Sequence, residues 1–419
     1  MTDSTPQTLE YAPPDGLNDR STGGTPLGWA AYLGASWTWC IGMFLPVLLI
    51  RDYGPWAWVI FAVPNVVGAG AMGWVMRSAE QSRRYTLDHA SACRLFSFVT
   101  IAFQLFFAMW MLPRLVGPVG FIAAAVIVQS AFTPITNLRW LRVGAAGALL
   151  VSVAVAAAVM IFQPGVLQWP GNPGEPWVRP DHAGVVSMGD LAGLAVVCLV
   201  GFLTCPYLDL TFHRARLALD DAGAKVAFGV GFGVLFFSMI VFTFFYAVLI
   251  IGLLIIWHEL FVYATARRLI SLHLFLQMTY TVHVHAAELV RQSKARDDRG
   301  VMRGGLSVWL AVGLGVGLAA AFGNEHGIHF RDRPLGEIGY RTFMSFYGLV
   351  FPAYVLLAIG RPRVSWLAWA VVTLAAMPFF WLAFIERGMA WGAAGVAVIV
   401  IGALIGRRLV PSPGTPGEG

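Results

Sequence analysis

The stretch that decides the fold is GASWTWCIGMFLP, residues 34–46, which interrupts a long apolar run with residues that disfavour a helix. Gly34 and Gly42 cost backbone entropy in a helix, and Pro46 removes one helical hydrogen bond. We therefore predict that the helix containing this segment is broken. Glycine and proline also occur in membrane helices as simple kinks or close-packing positions, and that alternative stays open.

A second stretch, GFLTCPYLDL, residues 201–210, has the same character. Gly201 and Pro206 lie within another apolar run, with Thr204 between them. We predict a second broken helix here. Either segment alone is compatible with a kink, so the relation between the two is the stronger argument.

The composition around these stretches is that of a membrane protein. Hydrophobic residues make up 58% of the chain and charged residues 12%, where a soluble domain carries about a quarter charged residues. Mean hydropathy is +0.70. Apolar runs of about 20 residues, the length that crosses a bilayer, recur without the alternation of barrel strands. The sequence therefore predicts an all-α polytopic membrane protein embedded in a lipid bilayer.

These runs predict about twelve transmembrane helices. Their approximate bounds are 27–50, 55–76, 94–112, 117–136, 142–162, 189–208, 228–254, 268–288, 304–322, 342–360, 364–385 and 389–406.

Basic residues are concentrated in alternate loops and predict the orientation. Short loops rich in lysine and arginine remain in the cytoplasm. We therefore place both termini in the cytoplasm and the protein in the inner (plasma) membrane, with loops 163–188 and 323–341 outside. The basic loops carry Arg77, Arg83 and Arg84; Arg139 and Arg142; Arg214, Arg216 and Lys225; Arg291, Lys294, Arg296, Arg299 and Arg303; Arg361 and Arg363; and Arg407 and Arg408.

This topology divides the chain into two similar halves. The two interrupted helices are the first and the sixth, five spans apart, and they enter the membrane from opposite sides. Such a pairing is typical of inverted repeats of five helices around a binding site. The predicted regions are a disordered cytoplasmic tail at 1–26, a first half at 27–162, a second half at 189–360, two accessory helices at 364–408 and a disordered tail at 409–419.

The eighth span is predicted from parity rather than from hydropathy. Residues 257–288 are polar for a membrane helix. However, the chain must cross between the outer end of the seventh span and the basic loop at 291–303. We assign the crossing to 268–288, with 257–267 as an interfacial lead-in. A span this polar is expected to line a cavity or the bundle interior.

Polar residues follow one face of this span. We expect either hydrogen bonds between helices or a face that handles substrate or protons. A metal site is disfavoured, because His283 and His285 project about 200° apart on a helix. The stripe consists of His273, Gln277, Thr281 and Glu288, with Tyr280 and His285 beside it.

Other chemistry-bearing residues suggest structural roles. No motif of a hydrolase, a nucleotide-binding loop or a zinc protease occurs, so we expect no enzyme and no resident metal. Asp209, His213 and Arg214 are interpreted as a structural latch, and Glu325, His326, His329 and Asp332 as a solvated loop. Cys40, Cys93, Cys198 and Cys205 lie in apolar runs without metal-binding spacing and are predicted to be buried thiols.

Two short segments resemble a known family. Residues 83–96, RRYTLDHASACRLF, are similar to the TLPDYLxxRF segment that leads into the third core helix of sodium/solute symporters. Residues 206–222, PYLDLTFHRARLALDDA, are similar to the segment with P, QR and A that follows their broken sixth helix. The resemblance implies the LeuT-like fold of the amino acid/polyamine/organocation superfamily, with five plus five inverted helices and two more at the end.

The resemblance also implies an ion site. Thr279 or Thr281 of the eighth span would join the backbone from Ala35 to Thr38. The chain departs from the family in lacking an aspartate beside these threonines and an extra first helix. The coupling ion, sodium or a proton, is therefore left open.

Together these observations predict a secondary active transporter for a small neutral or zwitterionic solute, working by alternating access. The expected site is formed by Ser36, Trp37, Thr38, Trp39, Thr204, Tyr207, Gln277 and Tyr280, with Phe202 as a further apolar wall. The alternatives are a transporter-derived sensor or scaffold and, in another class, a membrane-embedded enzyme using the histidines and glutamate of the eighth span. The solute and the oligomeric state are not predicted.

Overall fold

The computed structural model describes residues 24–162, 187–255, 264–330 and 333–409. The tail and loop predictions for residues 1–23, 163–186, 257–263 and 410–419 lie outside the described residues. The helices are α1 Pro26–Trp37, α2 Cys40–Tyr53, α3 Pro55–Val75, α4 Ala79–Asp88, α5 Ala90–Val116, α6 Val119–Phe132, α7 Leu138–Phe162, α8 Met188–Thr204, α9 Leu210–Ala218, α10 Asp221–Val230, α11 Phe237–Ile255, α12 Ala264–Arg296, α13 Arg299–Glu325, α14 Leu335–Ser345, α15 Phe351–Ala358, α16 Trp366–Phe380 and α17 Ala390–Leu409.

Helices of bilayer-spanning length dominate this architecture. Within the described residues nine helical stretches are long and apolar enough to cross a membrane, or ten if α1 and α2 count as one bent span. The prediction of an all-α polytopic membrane protein is confirmed. The nine are Pro55–Val75, Ala90–Val116, Leu138–Phe162, Met188–Leu208, Asp221–Gly252, Arg299–Glu325, Leu335–Ala358, Trp366–Ile385 and Ala390–Arg407.

Two of the twelve predicted spans do not meet these criteria, so the count of twelve stays a prediction. α6 has 14 residues, which at 1.5 Å per residue gives about 21 Å, short of the roughly 30 Å hydrocarbon core. α12 has 33 residues and is long enough, but its sequence is polar. It packs among α5, α6 and α7, which is the interior position expected of such a helix.

Both interrupted segments contain a break in the helix. α1 and α2 meet at Thr38 and Trp39 with a bend of 52°. The Thr38 hydroxyl donates to the carbonyl of Gly34 at 2.7 Å and so helps to end α1. After α8 the chain forms a 3₁₀ turn at Cys205–Leu208, passes through extended Asp209 and resumes as α9.

Pro206 lies in the 3₁₀ turn of the second break, as predicted, whereas the other quoted glycines and prolines lie within helices. Gly42 and Pro46 are inside α2. Gly34 allows close packing, because a Cβ there would lie 3.0 Å from the carbonyl oxygen of Gly231. Gly201 similarly faces the carbonyl oxygen of Tyr347, 3.0 Å from where a Cβ would lie.

The helices surround α5, which is buried along most of its length. α5 packs against α6, α12 and α13, while α3 packs against α8 and α2 against α11. Glycines permit the closest crossings: a Cβ on Gly68 would lie 2.3 Å from the carbonyl oxygen of Phe202. A short antiparallel pair, β1 His329–Phe330 and β2 Arg333–Pro334, precedes α14.

Three helices are interrupted by π-helical turns. These turns lie at Gly231–Phe236 between α10 and α11, at Phe346–Val350 between α14 and α15, and at Trp381–Ile385 after α16. π turns occur frequently at functional sites. The turn at Phe346–Val350 borders the cavity described below.

Candidate functional site

The two helix breaks lie side by side and line one buried cavity. Trp37 and Trp39 reach it from the first break, and Phe202 and Cys205 reach it from the second. Tyr347, in the π turn after α14, closes another wall. The cavity therefore lies between the two breaks, and apolar and aromatic side chains make up most of its lining.

Aromatic rings fix the shape of this cavity. Trp39 stands edge-on to Tyr347, with ring centroids 4.8 Å apart, and Trp37 lies 5.2 Å from Trp39. The indole of Trp37 donates to Asn65 Oδ1 of α3 at 2.7 Å, which holds its orientation. Tyr347 Oη lies 3.1 Å from the hydroxyl of Thr100 on α5.

The cavity is narrow in this conformation. Its volume is about 60 Å³, well below the roughly 300–1,000 Å³ of typical small-molecule sites. A solute of several heavy atoms fits only if the surrounding side chains or helices move. The structure thus holds the site in a contracted state.

Five buried charged side chains, the Arg51 cluster, lie at the end of α2. Arg51 and Asp52 belong to α2, Glu337 and Arg341 to α14, and Arg387 follows the π turn after α16. All five are less than a tenth exposed. Three arginines and two carboxylates give the cluster a net charge of +1. Because Arg341 also lines the cavity, the cluster borders it directly.

Glu337 is the centre of the Arg51 cluster. Its carboxylate accepts hydrogen bonds from Arg51 at 2.8 and 2.9 Å, from Arg341 at 2.9 Å and from Arg387 at 2.6 Å. Asp52 accepts from Arg51 at 2.9 Å and also from Arg341. The cluster therefore ties α2 to α14 and to the segment after α16.

A second buried ion pair joins α9 to α12. Arg214 Nε donates to both carboxylate oxygens of Glu288, at 3.2 and 3.1 Å. Arg291 donates to the same carboxylate and to the carbonyl of Thr136. Arg214 was interpreted from the sequence as part of a latch with Asp209; the structure places its guanidinium on Glu288, a partner 74 residues away that local spacing does not reveal.

Asp209 lies in the second break, directly before α9, and is fully buried. Its Oδ1 accepts from the backbone N–H of Thr211 at 2.7 Å, which caps α9, and lies 2.7 Å from the Thr211 hydroxyl. That hydroxyl is 3.2 Å from Ser36 Oγ of α1. Among the described residues Asp209 Oδ2 has no hydrogen-bond partner. The Nε2 atom of His285 in α12 lies 3.9 Å from Oδ2.

The hydroxyls predicted for the site bond mainly to their own helices. Ser36 donates to the carbonyl of Leu33 at 3.0 Å, and Thr204 donates to that of Val200 at 2.7 Å. Thr38 bonds as described above, and Tyr207 is half-buried beside the second break. These residues surround the breaks, and their role in binding a solute stays a prediction.

Gln277 and Tyr280 lie away from the cavity, against α7. The amide of Gln277 donates to Ser152 Oγ at 2.9 Å, and the hydroxyl of Tyr280 donates to the carbonyl of Leu141 at 3.2 Å. His273 Nδ1 is also 2.8 Å from Ser152 Oγ. This half of the polar stripe therefore makes hydrogen bonds between helices, one of the two alternatives stated for it.

The ion site that the resemblance implies is not assembled as an oxygen cage in this conformation. The hydroxyl of Thr279 donates to the carbonyl of Phe275 in its own helix at 2.7 Å. The hydroxyl of Thr281 is buried without a partner among the described residues. Ala35 is buried in α1.

Two carboxylates outside the predicted spans, Glu80 and Asp298, are paired with arginines. In the described ranges no group of three or more His, Cys, Asp or Glu is placed to hold a metal. Hydrogen bonds from Arg83 and Arg84 lower the pKa of Glu80 to about 2, and a hydrogen bond from Arg94 lowers the pKa of Asp298. These pairs order the helix α4 and the turn before α13.

Sequence reasoning missed the Arg51 cluster. Arg51 and Asp52 end an apolar run and resemble loop charges, while Glu337 and Arg341 fall in a stretch interpreted as an outer loop. A signal was present: Glu337 and Arg341 are four residues apart, the spacing of an ion pair on one helix face.

No protein-family model matches the sequence, and no curated protein matches it. The geometry itself defines the class. The chain is an all-α polytopic membrane protein in which two broken helices share a buried, aromatic-lined cavity.

Proposed function

We propose that this protein is a secondary active transporter of the LeuT-like architecture, which moves a small neutral or zwitterionic solute across the inner membrane by alternating access. The observation that carries the proposal is the meeting of two helix breaks at one cavity. Broken membrane helices expose carbonyl and amide groups at their ends, and paired breaks of this kind form the midplane sites of many transporters.

The packing supports an internal repeat of five helices. If α1–α2 is the first span, α3 the second and α5 the third, then α8–α9 is the sixth, α10–α11 the seventh and α12 the eighth. The sixth span packs on the second through α8 and α3, and the first packs on the seventh through α1 and α10. If each span of the first half corresponds to the span five places later, the contact between spans six and two corresponds to the contact between spans one and seven.

The remaining core helices repeat this correspondence. The third span packs on the ninth through α5 and α13, and the eighth packs on the fourth through α12 and α6. The third and eighth spans also contact each other through α5 and α12. These two spans correspond to each other in the proposed repeat, so their contact lies on its symmetry axis. In this proposal α6 and α12 are the fourth and eighth of twelve spans, and α16 and α17 are the accessory pair.

The chemistry of the cavity favours a solute without net charge. Its walls are the indoles of Trp37 and Trp39 and the phenyl ring of Phe202, and the one charged side chain on its lining, Arg341, is already bonded to Glu337 and Asp52. A polar but neutral or zwitterionic molecule would use the helix ends for hydrogen bonds and the rings for contact area.

The test combines ligand detection with transport. A library of neutral and zwitterionic solutes is first screened by thermal unfolding of the purified full-length protein, and stabilising compounds are then tested for uptake into proteoliposomes. Trp39→Ala should weaken binding of a stabilising solute at least about tenfold, roughly 1.4 kcal/mol. The matched control is Trp140→Ala, because Trp140 is 62% exposed on α7.

Uptake that is abolished by Trp39→Ala and retained by Trp140→Ala would support transport. Binding of a solute without any uptake, by a protein that remains folded, would favour the transporter-derived sensor instead. If no compound in the library stabilises or accumulates, the transport proposal fails.

A further inference from the structure

The carboxylate of Asp209 is buried, and the proposed fold does not explain why one of its oxygens lacks a hydrogen bond within the described part of the chain. It lies at the second helix break with 0% exposure. One of its oxygens, Oδ1, accepts hydrogen bonds from the backbone N–H and the hydroxyl of Thr211. The other, Oδ2, has no hydrogen-bond partner among the described residues. A buried ionised carboxylate with an unsatisfied oxygen is costly, and in membrane spans such groups are usually functional.

The group that Oδ2 faces is an imidazole. His285 Nε2 of α12 is 3.9 Å from Oδ2, about one ångström longer than a charge-assisted hydrogen bond. His285 Nδ1 lies 3.1 Å from Ser97 Oγ of α5. With a proton on Nδ1 donated to Ser97, Nε2 carries a lone pair 3.9 Å from Oδ2, and a protonated carboxylic acid can donate its hydrogen to such an acceptor.

We propose that Asp209 and His285 form a proton-binding site, in which a proton bound to Asp209 Oδ2 is donated in a hydrogen bond to His285 Nε2, and that this proton is the coupling ion of the transporter. The coupling part rests on the proposed function, whereas the binding site does not. The step is balanced: one proton from solution adds to Oδ2, the carboxyl charge changes from −1 to 0, and the same proton returns to solution on release.

Among the described residues, no other charged or titratable group makes a hydrogen bond to Oδ2. Glu288 faces it from α12 and is held by Arg214 and Arg291. The remaining neighbours within electrostatic range are neutral thiols and phenols on the surrounding elements, namely Tyr32 of α1, Cys93 of α5, Cys205 of the 3₁₀ turn and Tyr347 of the π turn.

A proton fits this site better than a sodium ion. Hard cations need several oxygen ligands, whereas an imidazole nitrogen lies 3.9 Å from Oδ2. Ser36 donates to the carbonyl of Leu33 and Thr211 to Asp209 Oδ1. Among the described residues Oδ2 has no hydrogen-bond partner that would begin a coordination shell.

The position of the pair explains how a proton would be coupled to movement. Asp209 belongs to the broken sixth span and is joined through Thr211 to Ser36 of the broken first span. His285 and Ser97 belong to α12 and α5, which pack along each other. Protonation would create a hydrogen bond between these two pairs of helices, and deprotonation would remove it. The site thus links the helices with breaks to the continuous helices.

The decisive experiment observes the proton directly. Infrared difference spectra of the purified full-length protein, recorded between alkaline and acidic buffer, report a carboxylic acid C=O band when a carboxylate becomes protonated. The wild type should show a band that is lost in Asp209→Asn and shifted in His285→Gln. Asparagine is a good N-cap, so Asp209→Asn preserves α9. The control is Asp220→Asn, since Asp220 caps α10 in the same way at an exposed position.

Transport supplies the second arm. In proteoliposomes, a pH gradient that is acidic outside the vesicles should drive solute accumulation by the wild type. Asp209→Asn should no longer accumulate solute in response to this gradient. A band that persists in Asp209→Asn, or one that disappears when sodium chloride replaces potassium chloride at fixed pH, would overturn the proton site. A band with the expected behaviour in a protein that transports nothing would instead refute the transport function and leave the proton site standing.

Discussion

Replacing Glu337 by glutamine tests the Arg51 cluster, the largest group of buried charges described above. The substitution keeps the size of the side chain but removes its negative charge. The cluster would change from three positive and two negative charges to three positive and one, so that its net charge rises from +1 to +2. Three arginines would then share a single carboxylate, that of Asp52.

The magnitude follows from the contacts. Glu337 accepts four hydrogen bonds from guanidinium groups, at 2.6 to 2.9 Å, and is buried to 3% exposure. Removing one partner from a buried ion pair costs about 3–5 kcal/mol, because the remaining charges stay uncompensated. We expect a loss of this size in the free energy of unfolding, which lowers the folded-to-unfolded ratio about a hundredfold or more.

The assay uses the protein's own thiols. Cys198 and Cys205 line the cavity and are buried and unpaired. A thiol-reactive fluorophore should therefore label the wild type slowly below its unfolding temperature. In Glu337→Gln the unfolding midpoint should fall, and labelling of these two cysteines, identified by peptide mapping, should be faster at temperatures where the protein is folded.

The control is Glu80→Gln, which removes an exposed carboxylate bonded to Arg83 and Arg84 on α4. Surface pairs of this kind contribute little, so its midpoint and labelling should match the wild type. The reasoning is refuted if Glu337→Gln behaves like this control. A double-mutant cycle with Arg51→Met gives a further check, since the two losses should be clearly less than additive for residues in direct contact.

Two further predictions concern packing and pH. Gly68→Leu should prevent stable folding, because a Cβ there would lie 2.3 Å from the carbonyl oxygen of Phe202. Gly147→Ala should fold normally, because no described neighbouring element lies within 4 Å of its Cβ. Equal yields of folded protein for the two variants in size-exclusion chromatography would contradict this prediction. Arg94 lowers the pKa of Asp298. The Arg94–Asp298 pair therefore stabilises the folded protein fully above the ordinary aspartate pKa of about 3.9, and this stabilisation is lost as the pH falls through and below that value. Asp298→Asn should therefore unfold at a lower temperature than the wild type at neutral pH and converge with it in acid, while a pH-independent difference would show that the charge is not responsible.

The class of fold was predictable because hydropathy is a local property of the chain. Apolar runs of bilayer length identify membrane helices without knowledge of their partners. The breaks were predictable for a similar reason, since glycine and proline weaken a helix wherever they occur. Their exact positions were not, because Pro46 is tolerated inside α2 while the turn occurs at Thr38 and Trp39.

The site was less predictable because its partners are distant in sequence. The stripe containing Gln277 was identified from helical spacing, but spacing cannot tell that its partner is Ser152 rather than a solute. Likewise Arg51 and Glu337 are separated by 286 residues. Each looks like an ordinary charge near the end of a span until the helices are assembled. The sequence places Asp209 beside Arg214 as a local pair, whereas the proposed proton site pairs it with His285 on another helix.

The π turns have a consequence for comparing the two halves of the chain. A π turn holds one residue more than the α turn that it replaces, so the helical phase beyond it is advanced by about 100°. Such turns occur at Gly231–Phe236 and Phe346–Val350, in the proposed seventh and tenth spans, while α3 and α7, the proposed second and fifth, are regular helices. An alignment of the halves without a one-residue gap at each π turn would place every following residue on the wrong face. The π turns would therefore conceal the proposed repeat from sequence comparison, although packing contacts can still be compared.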